Sequence, residues 1–286
     1  MIDISQYEVS SLLCWSPKTM IIRISSIIFL FNAIQAFAIE TVDLLTLSPK
    51  ATVYENIEYY IEDQRRYDID EIINEGFKGK WKKGKAKPYT GGFNHPPIWM
   101  RLSLQNNSSD SIKKLFQIRY PLLDQIVVYF VSDKEITNEY HMGDYYPHRE
   151  RPIFHRLFLF NGEFPPHTNT HIYIRINTTS SLTVPIIIWD EAYLLEDNEV
   201  ESILIGGSVL VLIMMLCYNF LIFVSTKDKT YLSYVFFVAC VIISLVAHTG
   251  FGFQYLWPNS TFIQNQIFRI SLPLATLGAL QFGFFS

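Results

Sequence analysis

The chain has 286 residues, a formal net charge of -4, 49% hydrophobic and 15% aromatic residues, and three cysteines. That mild acidity, with no Lys/Arg cluster on a periodic segment, argues against a nucleic-acid partner. Cys14 precedes the first apolar run and Cys217 and Cys240 fall inside later ones, which leaves no disulfide framework and no cysteine-based zinc site.

In chain order, "MIIRISSIIFLFNAIQAFAIE" reads as a secretory signal: Arg23 supplies the positive region, Ile24 to Ile34 the apolar core and Ala36-Phe37-Ala38 the cleavage motif. Residues 1–38 are therefore expected to be removed, with Met20 the more typical start, and an uncleaved anchor is the alternative. Nearly all the charge lies before residue 202. "WMRLSLQN" alternates, with Trp99, Arg101 and Ser103 on one face and Met100, Leu102 and Leu104 on the other. "LFQIRYP", "QIVVYFVS", "RLFLF", "THIYIRIN" and "SLTVPIIIW" are further short strands separated by turn signals. About eight such strands predict an antiparallel sandwich or jelly roll. "YDIDEIINEGF" is the one helix expected there, with Ile69, Ile72 and Ile73 on a common face and Gly76 near its end. "KGKWKKGKAK", Lys78 to Lys87, reads as a solvated loop in preference to a polyanion site.

The C-terminal third is different. No Asp, Glu, Lys or Arg occurs from Ser202 to Thr226, nor between Lys229 and Arg269. Ile203 to Val224, at about 1.5 Å per residue, covers roughly 33 Å against a hydrocarbon core of about 30 Å. Acidic "EDNEVE" before this span and "KDK" after it place Lys227 and Lys229 in the cytoplasm and residues 39–200 outside. Two more spans follow, about 231–249 and 262–286. Between them "GFGFQYLWPNS" predicts an interfacial hairpin loop, its Phe251, Phe253, Tyr255 and Trp257 at headgroup level. Gly206-Gly207 and Pro273 mark places where helix packing could be bistable.

Chemistry is sparse. His167 and His171 lack a third ligand for a metal, and His141, His148 and His155 are interrupted by Gly143, Pro147 and Pro152. His248 near the end of the second span suits a structural hydrogen bond better than a proton relay. No nucleophile elbow, phosphate loop or paired-carboxylate pattern occurs, so no enzyme, metal or cofactor is expected. The ligand-binding candidates are polar residues in or beside strands, Arg101, Asp124, Asp144, Arg151, His155 and Arg156, with Trp99, Tyr120 and Trp189 able to stack on a sugar face. The competing reading gives these same residues cross-sheet ion pairs and core packing.

The co-linear series "WMRLSLQNNSSD", "YPLLDQIVVYF", "GDYYPHRERPIFHRLFLF", "SSLTVPIIIW", "YLSYVFFVACVIISL" and "GFGFQYLWP" resembles the bacterial seven-transmembrane receptors with diverse intracellular signalling modules (7TMR-DISM), with the second type of extracellular domain. The resemblance implies a carbohydrate-binding-like jelly roll sensing a small soluble ligand, a sugar among the candidates. It further implies an inner-membrane location and relay to a cytoplasmic histidine kinase or diguanylate cyclase. Three of the seven helices are present, the third cut at "LGALQFGFFS". The expected architecture is thus mixed: an all-β exported sandwich followed by an α-helical transmembrane bundle. A membrane-anchored adhesion module, or a decayed receptor fragment, is the alternative.

Overall fold

The computed structural model describes residues 40–62, 65–74, 77 and 79–285. The predicted signal segment, Cys14 and Gly76 lie outside them.

Thirteen strands are named among the described residues, against about eight expected: β1 Thr41–Asp43, β2 Lys50–Thr52, β3 Glu58–Ile61, β4 Lys82–Lys83, β5 Tyr89–Gly92, β6 Ile98–Gln105, β7 Ile112–Ile118, β8 Gln125–Ser132, β9 Glu135–Met142, β10 Phe158–Phe164, β11 Asn169–Asn177, β12 Leu182–Val184 and β13 Ile186–Trp189. The excess is in two- to four-residue strands too short to show periodicity. One sheet runs β4-β3-β6-β11-β8-β9, with β1 added parallel to the far end of β6, and a second runs β10-β7-β13-β2. β12 and β5 form a separate two-stranded ribbon. Apart from β1 every pairing of named strands is antiparallel, as short hairpin connections favour.

The two sheets face each other across one core. Ile98, Met100, Leu102 and Leu104 of β6 meet Phe116 and Ile118 of β7, Phe158 and Phe160 of β10, and Ile186 and Ile188 of β13. Phe116 and Phe160 stack with centroids 5.2 Å apart and planes 6° from parallel. This is the packing that period-two strands impose when one face is apolar.

β6 departs from simple alternation because its other face is buried too. The helix α1 (Ile69–Ile73) lies over the outside of the large sheet, and its Ile69, Ile72 and Ile73 join Trp99, Val131 and Tyr173 in a second cluster. Glu71 of α1 takes the Asp68 N–H at 3.2 Å, and Tyr60, Tyr67, Phe77 and Trp81 complete the cover. The basic segment expected as a loop is partly a strand. Lys82–Lys83 pair with Glu58 and Tyr59, and Trp81 lies under the Arg101 guanidinium at 4.2 Å, so aromatic burial pins a stretch whose lysines stay in water.

Three helices follow, α2 (Glu191–Thr226), α3 (Lys229–His248) and α4 (Thr261–Phe285), with a π-helical turn at Gly252–Leu256. All three are long and apolar enough to cross a membrane. α3 and α4 pack closely: the Ser244 hydroxyl bonds that of Ser271 at 2.8 Å, and a Cβ at Gly278 would meet Phe236 and Phe237 at 3.0–3.2 Å. Around Gly206 and Gly207 of α2 the space is open among the described residues. Pro273 sits inside α4.

The start of α2 corrects the expectation. It begins at Glu191, twelve residues before the predicted span at Ile203, and its 36 residues run about 54 Å at about 1.5 Å each. "EDNEVE" is helical because Leu194 is buried among Leu159, Ile187 and Trp189 of the second sheet. One rigid rod therefore joins the sandwich to the membrane.

Candidate functional site

The place where chemistry gathers is the joint between the sandwich and the helices. It is built from the 119–124, 143–157 and 178–181 loops above, and from α2, the α3–α4 loop and α4 below.

On α2, Asp197 and Glu201 are one turn apart and share a face. Lys50 Nζ reaches Asp197 at 2.7 Å, and Arg119 spans both, at 3.1 Å to Asp197 and 2.8 Å to Glu201. Arg156 closes on Glu201 at 2.6 Å and lies 5.3 Å over the Phe251 ring. Above these, Lys114 pairs with Asp190, at the start of α2, at 2.6 Å. Burial raises the Asp197 carboxyl, but the bonds and charge of Lys50 and Arg119 outweigh it and hold the group below the usual range.

The α3–α4 loop is the socket. Phe253, which the sequence places in the headgroup belt, is 1% exposed and packs edge-on to His148 with centroids 5.5 Å apart. Arg151 lies between rings, 4.3 Å from Phe158 and 5.4 Å from Phe253, and donates from Nη1 to the carbonyls of His155 and Arg156 at 3.0 Å each. The His148 N–H donates to the Pro258 carbonyl at 2.8 Å, and His148 Nε2 bonds the His155 carbonyl at 3.0 Å. Gly250, φ +83°, is required here: a Cβ would stand 2.7 Å from the Arg156 carbonyl. Tyr255 and Leu256, by contrast, remain exposed.

α4 contributes Gln264 and Arg269. Gln264 Oε1 takes the Trp257 Nε1–H at 3.0 Å, and Arg269 donates to the Thr179 hydroxyl at 3.3 Å. Thr179 in turn donates from N and Oγ1 to Asp124 Oδ2, both at 2.8 Å. Asp144 completes the group, its N–H on the Leu123 carbonyl at 2.9 Å. Gly143, φ +137°, permits this, since a Cβ there would fall 2.0 Å from the Asp124 carbonyl.

Electrostatically the joint is largely buried and finely balanced. Burial, with the neighbouring Asp124 adding to it, pushes the Asp144 carboxyl up to about 7, against the pull of Arg151, Arg269 and Gln264. Burial, then the charge of Arg151, lowers His148 to about 4; burial, then Arg156, lowers His155 to about 4. Burial brings Arg151 down to about 9, opposed by Asp144, so the guanidinium stays charged at neutral pH. Among the described residues, Oδ1 of both Asp124 and Asp144 has no hydrogen-bond partner.

Six of the nine ligand candidates fall at or beside this joint: Asp124, Asp144, Arg151, His155, Arg156 and, against the neighbouring core edge, Tyr120; Trp189 is no stacking platform, being buried against Leu194 of α2. The other two lie apart, on the outside of the large sheet. Trp99 is buried beneath α1, stacks on Tyr129 and donates to Glu62 Oε1 at 2.7 Å; Arg101 pairs with Glu58 at 2.6 Å. Sequence reasoning missed Arg119, Asp197, Glu201, Gln264 and Phe253. The one available signal was the helical spacing of Asp197 and Glu201, masked by reading that stretch as a flank.

Residues 54–190 match the family described as 7TMR-DISM extracellular 2, and residues 201–284 the family described as 7TM diverse intracellular signalling. No curated protein matches the chain. Among solved structures it is similar to a GH31 alpha-xylosidase from Xanthomonas citri, with TM-score 0.26 and 7% identity over 52% of this chain and 14% of that one. It is also similar to a family 35 carbohydrate binding module from Clostridium thermocellum, with TM-score 0.24 and 9% identity over 49% of this chain and 97% of that one. A further similarity is to the CBM35 from Cellvibrio japonicus Abf62, with TM-score 0.21 and 10% identity over 47% and 93%. With both its sandwich and its apolar helices matched in order, the chain belongs to the 7TMR-DISM receptors and carries their sensory and membrane regions.

Proposed function

We propose that the sandwich senses a small soluble ligand outside the bacterial inner membrane and passes its state through the joint to the helices. They would pass it on to a cytoplasmic output module of the full-length receptor, a histidine kinase or diguanylate cyclase. The observation that carries this reading is the joint itself: α2, the α3–α4 loop and α4 each hold the sandwich through buried or charged contacts. A domain tethered only for display needs one flexible linker. Transmission requires a ligand-dependent preference between two arrangements of such contacts. In this reading residues 1–38 are a cleaved signal, residues 39–200 are exported and the helices occupy 201–286.

The test is output from the full-length receptor carrying Arg119→Ala and Arg156→Ala together. Altered basal output with normal membrane insertion is expected. Unchanged output would support the adhesion-module reading instead. Orientation is checked by introducing a cysteine at Asn138, on exposed β9. It should react with an impermeant maleimide in intact spheroplasts.

A further inference from the structure

Away from the joint, the sandwich has a cleft of about 290 Å³ lined by Tyr54, Tyr59 and Tyr89, by Lys85 and Lys87, and by a floor that includes Met100 and Val184. We infer that this cleft is the ligand site and that it takes a small ring-bearing carboxylate. The inference rests on the sensor reading above and gives that reading its ligand class.

The chemistry of the lining carries the argument. The volume sits at the small end of ligand pockets, roughly 300–1,000 Å³, which suits a single ring. Tyr59 and Tyr89 lie 4.7 Å apart at 55°, and with Met100, Val184 and Ile57 they offer apolar walls to a flat or chair-like ring. Two ammonium groups stand at the rim, yet among the described residues no acidic side chain lines the cleft. Among the described residues neither Lys85 nor Lys87 has an ion-pair partner, so their charge is uncompensated. The Tyr54 and Tyr59 hydroxyls likewise have no protein partner among those residues, whereas Tyr89 is held by His95 Nε2 at 2.9 Å. Free hydroxyls and free ammonium groups around an apolar floor complement a ring with one anionic substituent. Among the described residues no arginine fork lines the cleft to favour a multiply charged phosphate.

The strap carrying the lysines is fixed. The Gly84 N–H donates to the Ile57 carbonyl at 2.8 Å, and a Cβ on Gly84 would lie 2.0 Å from the Tyr54 carbonyl. The cleft is linked to the joint through β2. Tyr54 follows β2, whose Lys50 holds Asp197 of α2 at 2.7 Å, and Arg119 grips both Asp197 and Glu201. A ligand that shifts Tyr54 therefore acts on a strand already ion-paired to the membrane rod.

The test is calorimetric titration of the full chain in lipid nanodiscs with sodium D-glucuronate, sodium 4-hydroxybenzoate and neutral D-glucose. At least one carboxylate should bind ten or more times tighter than glucose, and the better one identifies a hydroxylated or an aromatic ring. Lys85→Gln with Lys87→Gln, both exposed, should weaken it at least tenfold without lowering Tm. No binding of either carboxylate at 10 mM (about the weak limit of such sites), equal binding of glucose, or unaltered affinity in the double variant would overturn the assignment. Output of the full-length receptor separates the two readings. Binding without an output change leaves the site standing and removes the sensor. An output response to the joint variants without carboxylate binding does the reverse.

Discussion

Replacing Arg156 by alanine tests whether the joint is held by a few strong contacts. The side chain is 5% exposed and faces Glu201, which is 33% exposed, at 2.6 Å. It also covers Phe251 at 5.3 Å and reaches the Thr249 carbonyl at 3.4 Å. Removing one partner of a fully buried pair costs about 3–5 kcal/mol, and an exposed pair contributes only about 0.2–1 kcal/mol. With one partner buried, the other a third open to solvent and Glu201 still held by Arg119 at 2.8 Å, about 2 kcal/mol is expected. That is roughly a thirtyfold increase in opening of the joint. The assay is amide hydrogen exchange in nanodiscs, read at His148, whose N–H crosses the joint to the Pro258 carbonyl. Its exchange should accelerate about thirtyfold while β8 and β11 keep their protection. An unchanged His148 amide, or equal acceleration throughout the sandwich, would refute the reasoning.

Gly250→Ala should open the same joint by about 2–4 kcal/mol, since a left-handed alanine costs about 1–2 kcal/mol and the Arg156 carbonyl must also give way; the His148 amide reports it. Glu62→Ala should lower sandwich stability by about 3–5 kcal/mol in thermal melts, because it leaves the Arg175 guanidinium, 13% exposed and paired to Glu62 at 2.6 Å, without its carboxylate. Burial pushes Glu62 up, but Arg175, the Tyr67 N–H and Trp99 together hold it below its usual value, so its contribution is present above about 4.5 and lost as the pH falls further. The joint itself should give a stability maximum near neutrality. From about 7 down toward 3.8 the folded state holds more proton on Asp144 than the unfolded state does, so acidification from above 7 stabilises. From 6.5 down to about 4 the unfolded state protonates His148 and His155 while the folded state keeps them neutral, and two histidines outweigh one carboxyl. A Tm that rises steadily from pH 5 to pH 9 (about two units either side of Asp144) would contradict this balance.

The sequence alone determined what local periodicity encodes. β8 runs over Gln125–Ser132, the stretch read as a short strand between turn signals, and Ile69, Ile72 and Ile73 share the buried face that helical spacing assigned them. The apolar spans were legible because crossing a membrane demands about 20 apolar residues in succession; charges bound the first two at their ends, and Arg269 alone falls within the third. The tertiary structure decided everything that depends on partners distant in the chain. Arg119 and Glu201 are 82 positions apart, and Arg156 and Thr249 are 93. Trp99 looked like an exposed stacking platform because strand alternation assigns a face without saying what covers it; α1 does. Phe253 looked like a lipid anchor because composition cannot distinguish a headgroup layer from the underside of a sandwich. The helix start at Glu191 was hidden for the same reason: its acidic face reads as solvated until Lys50, Arg119 and Arg156 arrive from three separate segments to neutralise it.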